Sequence, residues 1–437
     1  MPPRSVRKKE NPAAVPPASG RDHLSELPAD LLEHVLSFLP ALDAVRTYAV
    51  ARRWRHIWKS IPVLRILCGR NKEPASVEEL RKFVDNLLRI RRDLDSPIDT
   101  CEFNFRLLKL AKDDIPRIDI WIHQALGCKV RVLRLHIEPC RGIGYPPYFE
   151  PDDRPLISKH LTKLELKGVY QIGSRFLDFS NCPVLEDLKI LGCNFDDART
   201  LKSQSLTSLR IDDADLPDEY RMEIYAPNLV SLWLQVYDGC TPWLEGMPSL
   251  AAAVVKIDAD DNDDSCFGSF SSWDCDDPDC GCDRNYDNNQ CILLQSLSEA
   301  QNLVLMSHDI HKFVFRSNLR FCPTFNNLKT LFLNEYWCEP ADFSALACLL
   351  EHSPVLEKLT LQLYSKGPKH KVEIKLICKP MDKSAAVSEH LQAVEIKCQV
   401  FDERVHNALK FLGDLNICEK LADLTVQYFC TLTSHVI

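Results

Sequence analysis

Cys266, Cys275, Cys280, Cys282 and Cys291 crowd into one Asp-rich stretch, and clustered thiolates are ligands that hold zinc. The spacing opposes that chemistry. Cys275-x4-Cys280-x-Cys282 lacks the Cys-x-x-Cys pair that wraps a tetrahedral ion. From Asp258 to Cys291 there are eleven Asp, no Glu and one Arg, a net charge of -10. With Gly, Ser and Asn interspersed and no apolar period, residues 258–291 read as a mobile acidic loop rather than a zinc or calcium site. His308 and His311, three apart, read as surface or turn residues. Gly142-Ile-Gly144 is too short to cradle a phosphate, and neither a Gly-x-Ser-x-Gly elbow nor a His-Glu-x-x-His pair occurs. The expectation is therefore a protein that binds rather than catalyses, with no catalytic residue, no cofactor and no metal.

The elements that would position a binding surface fall into two patterns. Leu24, Leu27, Leu31, Leu32, Val35, Leu36 and Leu39 recur at three- and four-residue spacing, one apolar stripe of a helix. Pro28 suits its first turn, where a missing N–H costs nothing, and Pro40 stops it. Asp43 can start a second helix through Ala44, Val45, Tyr48 and Ala49. A third carries Trp54, Ile57 and Trp58 until Pro62 ends it. Three helices in so few residues bury too little on their own, so this unit needs a partner surface. A linking helix follows near Val77 to Arg92.

Beyond it the frame apolar-x-x-apolar-x-apolar recurs eleven times, from Ile98/Cys101/Phe103 through Leu161/Leu164/Leu166 and Leu328/Leu331/Leu333 to Leu391/Val394/Ile396. The middle spacings are 24, 21, 23 and 21 residues, widening to 28, 28 and 35. That is the leucine-rich-repeat signature. Each short strand turns alternate apolar side chains to one side, and only stacked neighbours can bury that face. The fold class expected is α/β: a helical N-terminal module, then a solenoid with a curved, mainly parallel sheet. Ile118 to Leu126, Phe343 to Leu350 and Val405 to Leu412 read as helices between strands.

Charge and cysteine usage bound the setting. The chain carries a net charge of -9; outside 258–291 the remainder is +1, so the charge points to neither nucleic acid nor membrane. No apolar run approaches the ~20 residues of a membrane span. An odd count of 19 scattered cysteines argues for a reducing compartment, the cytoplasm or nucleus or both. Residues 1–20, basic and rich in proline, read as a disordered tail.

Leu24-Ser-Glu-Leu-Pro-Ala-Asp-Leu-Leu-Glu-His-Val-Leu-Ser-Phe-Leu-Pro, with Asp43-Ala-Val-Arg-Thr and Ala51-Arg-Arg-Trp-Arg-His-Ile-Trp, closely resembles plant F-box proteins. Cys182-Pro-Val-Leu-Glu, Ser353-Pro-Val-Leu-Glu and the tail from His390 to Leu421-Ala-Asp-Leu-Thr-Val are similar to the group whose F-box precedes degenerate leucine-rich repeats and an FBD-like module. The resemblance implies an F-box at 21–62, a linking helix at 63–97, repeats at 98–389 and an FBD-like cap at 390–437. It also implies a substrate-recognition subunit of a Skp–cullin–F-box ubiquitin ligase. The F-box would dock on the Skp-type adaptor through Leu27, Pro28, Leu31, Leu32, Val35, Leu36, Val45, Arg46, Trp54 and Trp58. The repeats would hold a target protein of unknown identity. A hormone-like small-ligand receptor on the same scaffold is the alternative.

Overall fold

A computed structural model describes residues 27–49, 54–68, 77–106, 116–138, 149–195, 198–217, 220–238, 242–257, 292–307, 322–338, 343–363, 388–398, 403–415 and 423–428. The basic tail at 1–20 and the acidic stretch at 258–291 lie outside the described residues.

The N-terminal module contains α1 (Ala29–Leu36), α2 (Ala41–Arg46) and the single turn α3 (Trp54–Ile57). Pro28 and Pro40 occupy the N-cap positions of the first two helices. The second helix thus begins two residues before Asp43, which falls in its first turn, where the helix dipole favours acid.

The chain then enters a sheet without a linker. β1 (Val63–Cys68), β2 (Thr100–Arg106), β3 (Val132–Glu138), β4 (Lys163–Lys167) and β5 (Asp187–Leu191) pair in parallel. β7 (Ser208–Asp215), β9 (Ser231–Asp238), β11 (Ala252–Ile257) and β12 (Asn302–Ser307) continue the ladder. β13 (Thr330–Asn334), β14 (Lys358–Leu363), β15 (Ala393–Cys398) and β16 (Asp423–Tyr428) complete a sheet of 13 parallel strands. The fourth and sixth positions of all eleven repeat frames lie on these strands, the first position two residues before each, and every frame residue is buried, the expected leucine-rich-repeat solenoid.

Two strands of this sheet exceed the sequence expectation. The segment expected as a linking helix at 63–97 opens with β1 before the helix α4 (Val77–Asp93). Ile61, Leu64 and Ile66 are themselves a buried copy of the frame. It escapes the count because 37 residues separate Ile61 from Ile98, beyond the repeat period. β16 likewise follows a frame, Leu421/Leu424/Val426, that the periodicity did not include.

The opposite layer changes character along the solenoid. α4 packs on α5 (Pro116–Gly127) at the start. In the middle, three short strands form a second parallel sheet: β6 (Thr200–Lys202), β8 (Glu223–Tyr225) and β10 (Trp243–Glu245). α6 (Ile292–Ser296), α7 (Ser344–Glu351) and α8 (Glu403–Asp414) follow. Short middle repeats leave no room for helices, so a three-residue strand crosses instead. One buried apolar cluster runs between the layers from Ala41 to Leu412.

The strand exits share a turn. Gly168 and Gly192 follow β4 and β5 at φ 68° and 55°, and Asp213, at the aligned place in β7, takes φ 57°. Positive φ suits glycine and is tolerated by aspartate.

Candidate functional site

The three N-terminal helices divide their apolar residues between two jobs. Leu32, Leu36, Ala44, Trp54, Ile57 and Ile61 form a small buried cluster, with Leu27, Leu39 and Trp58 packed at its edge. Leu32, Leu36 and Trp54, expected at the adaptor contact, are therefore enclosed within the module's own core. Leu32 and Leu36 lie one turn apart on the inward side of α1, and Trp54 opens α3 against them.

Leu31, Val35 and Phe38 lie on the other side and are 50%, 43% and 62% exposed. Pro28 continues this stripe as an exposed residue, and the His34 ring meets Phe38 edge to face at 5.0 Å. On α2, Val45 is half-buried and Arg46 is exposed, with Arg46 Nη1 3.3 Å from Asp43 Oδ1. Phe38 was missed by the sequence reading, which ended the stripe at Leu36 and Leu39. The i+3 step from Val35 to Phe38 was the available signal.

The module is fastened to the solenoid. Arg91 on α4 is fully buried and donates to the carbonyls of Ile61 at 2.8 Å, Pro97 at 2.9 Å and Lys59. These belong to the end of the helical module and the approach to β2. Burial lowers the guanidinium's pKa below its usual value. Arg65 on β1 donates to the Ser37 carbonyl at the end of α1 and lies 3.4 Å from Glu102. Its guanidinium also lies 6.0 Å from the Phe38 ring centre. Trp58 touches both the small cluster and the main core.

A family model for the F-box domain matches residues 24–66, which span these three helices and reach into β1. The N-terminal module is an F-box. Over most of its length the chain is homologous to F-box/FBD/LRR-repeat proteins of Arabidopsis thaliana. Two of them are 27% and 28% identical, over 82% and 79% of this chain and 80% of each relative. An F-box/LRR-repeat protein of the same plant is 24% identical over 80% of this chain and 94% of its own length. The Arg91 and Arg65 contacts thus join an F-box directly to the first strands of a repeat array.

The second surface is the side of the large sheet that faces away from the core. Position five of each frame points there, and the register aligns these residues across the strands. On β1 to β7 the row is Arg65, Glu102, Arg134, Glu165, Lys189 and Arg210, nearly alternating in charge. On β9 to β13 it becomes Trp233, Val254, Val304 and Phe332. All four are half-exposed. Cations close both ends: the Arg210 guanidinium lies 4.4 Å from the Trp233 ring centre, and Lys397 Nζ lies 5.9 Å from that of Phe332. Reading position five down the repeats would have found this strip. The leucines at positions one, four and six carry the period and draw the eye from position five. No described helix is long and apolar enough to cross a membrane.

Proposed function

We propose that the protein is the target-recognition subunit of a Skp–cullin–F-box ubiquitin ligase. The F-box is the observation that carries this reading: α1 and its two flanks present Pro28, Leu31, Val35 and Phe38 to solvent although the module is small. Exposed large apolar residues set in line mark a contact surface. The Skp-type adaptor would cover this stripe together with Val45 and Arg46. Leu32, Leu36 and Trp54 would shape the face from beneath, with Leu27 and Trp58 at its margin.

The open face of the solenoid would hold the target protein, with the strip from Trp233 to Phe332 as its apolar centre. Aromatic residues beside arginine are the usual anchors of protein interfaces. Transfer of ubiquitin would belong to other subunits, so this chain acts by positioning and not by catalysis. The odd count of 19 scattered cysteines suits the cytoplasm or nucleus as its place of action.

The test is co-precipitation of a Skp-type adaptor with the full chain and with a Leu31→Glu/Val35→Glu/Phe38→Glu variant. The wild type should recover adaptor, and the variant should recover at least tenfold less with unchanged circular dichroism. Equal recovery by both, or none by the wild type, would reject the assignment.

A further inference from the structure

Cys322, Cys348 and His352 place their ligand atoms within 4.8 Å of one another, apart from both surfaces described above. We propose that these three residues form a zinc site that fastens the turn before β13 to the end of α7.

The donor set is the first argument. Two thiolates and an imidazole are the ligands zinc prefers, and three protein ligands leave one tetrahedral position for water. Geometry is the second. Around a tetrahedral zinc, sulfur and nitrogen ligand atoms stand about 3.5–3.8 Å apart, given bonds of ~2.3 and ~2.0 Å. The three donor atoms lie within 4.8 Å of one another, so a shift of about 1 Å would bring them to that spacing. Cys348 and His352 are four apart on one helix and so share a face.

The third argument is preorganisation. His352 caps the C-terminus of α7, and its carbonyl accepts from Phe325 N at 2.8 Å. Phe325 is fully buried, so the segment carrying Cys322 is tied at a fixed place to a residue that is itself a ligand. His352 Nδ1 lies 2.8 Å from the Cys348 carbonyl oxygen. A carbonyl only accepts, so Nδ1 carries the proton and the Nε2 lone pair is left for the metal. A ligating histidine commonly gives its other N–H to a backbone carbonyl in this way. Cys322 and Cys348 are each 8% exposed and His352 is half-buried, so the three donors sit at the edge of the core.

Binding would displace two protons: the zinc cation takes two thiols as thiolates and the imidazole as its neutral form. No sulfur changes oxidation state. The spacing, Cys-x25-Cys-x3-His, hides the site in the sequence, because Cys322 approaches only through the stacking of the repeats.

The experiment is titration of the purified full chain with cobalt(II), read by thiolate charge-transfer and tetrahedral ligand-field absorption, followed by displacement with zinc. Cys322→Ser, Cys348→Ser and His352→Gln are compared with a variant in which Cys275, Cys280 and Cys282 are all serine. Wild type and the triple-serine variant should bind about one equivalent, and the three site variants should bind roughly tenfold or more weakly. Zinc should raise the melting temperature of the wild type and not that of Cys348→Ser. Absence of cobalt absorption in the wild type would overturn the proposal. So would a signal kept by Cys322→Ser and Cys348→Ser but lost from the triple-serine variant. Should one site variant fail to fold, the other two decide between these outcomes.

Discussion

Buried ionisable side chains carry the strongest residue-scale expectations. Asp119 on α5 is nearly enclosed, and burial raises its pKa from 3.8 to about 7 against the opposing hydrogen bond from Asp152 N. Below the ordinary carboxylate range both folded and unfolded chains hold the proton, and burial costs little. As pH rises toward 7 the unfolded chain releases its proton before the folded one does, so stability falls through that window and levels off above it. Asn keeps an oxygen for the Asp152 N–H and has no charge to bury. Asp119→Asn should therefore melt higher than the wild type at pH 8, with the advantage shrinking toward pH 4. Thermal melts of both proteins across that range check it, and an advantage independent of pH would show that charge burial is not the cause. On α1, Leu32 makes the opposite point to Leu31. Leu32→Ala should cost about 2–5 kcal/mol of module stability, because it opens a cavity in the small cluster. Leu31→Ala should cost far less stability and act on adaptor binding, as urea unfolding beside pull-down would show.

At the scale of elements, α4 decides how the F-box and the repeats are joined. Its Arg91 satisfies three carbonyls from two segments, the end of the helical module and the approach to β2. Asp85 on the same helix accepts from Arg117 Nη2 and Trp121 Nε1, each at 2.8 Å, and so fixes α5. A lysine presents one compact ammonium where the planar guanidinium spans several acceptors. Arg91→Lys should lose about 2–4 kcal/mol, since each buried carbonyl left without a donor costs ~1–3 kcal/mol. The loss should show in hydrogen exchange as faster labelling of 54–68, ahead of the strands beyond β4. Uniform labelling changes along the whole chain would instead mean that α4 is part of one cooperative unit.

For the molecule as a whole, under the proposed function thirteen strands in one sheet would set the distance and orientation between adaptor and target. The F-box has no flexible joint to the first repeat: β1 is already a strand of the sheet, and Arg65 reaches from it to the end of α1. A ligase receptor built this way would present its target in a fixed direction. Trp233→Ala with Phe332→Ala removes the two aromatic ends of the strip on the open face. Both side chains are half-exposed, so the melting temperature should change little while target recovery falls at least tenfold. Proximity labelling with an F-box-deleted chain supplies the targets for that comparison. Equal recovery by wild type and double variant would move the target-binding surface elsewhere.

The repeats were legible from sequence because an apolar strand face has a period that survives without any knowledge of its neighbours. The F-box helices were legible for the same reason, and their motif carried the family resemblance. What the sequence left open were choices made by neighbours. One apolar stripe on α1 reads the same whether a leucine points inward, like Leu36, or outward, like Leu31; α2 and α3 decide by covering one side. β1 was hidden because a 17-residue helix separates it from the next frame. The strip from Trp233 to Phe332 exists only because the register brings position five of four strands side by side. Cys322 and His352 are thirty residues apart along the chain and become neighbours through hydrogen bonding between adjacent repeats. Periodicity is a property of one segment and can be read from it; juxtaposition belongs to pairs of segments, and stacking alone creates it.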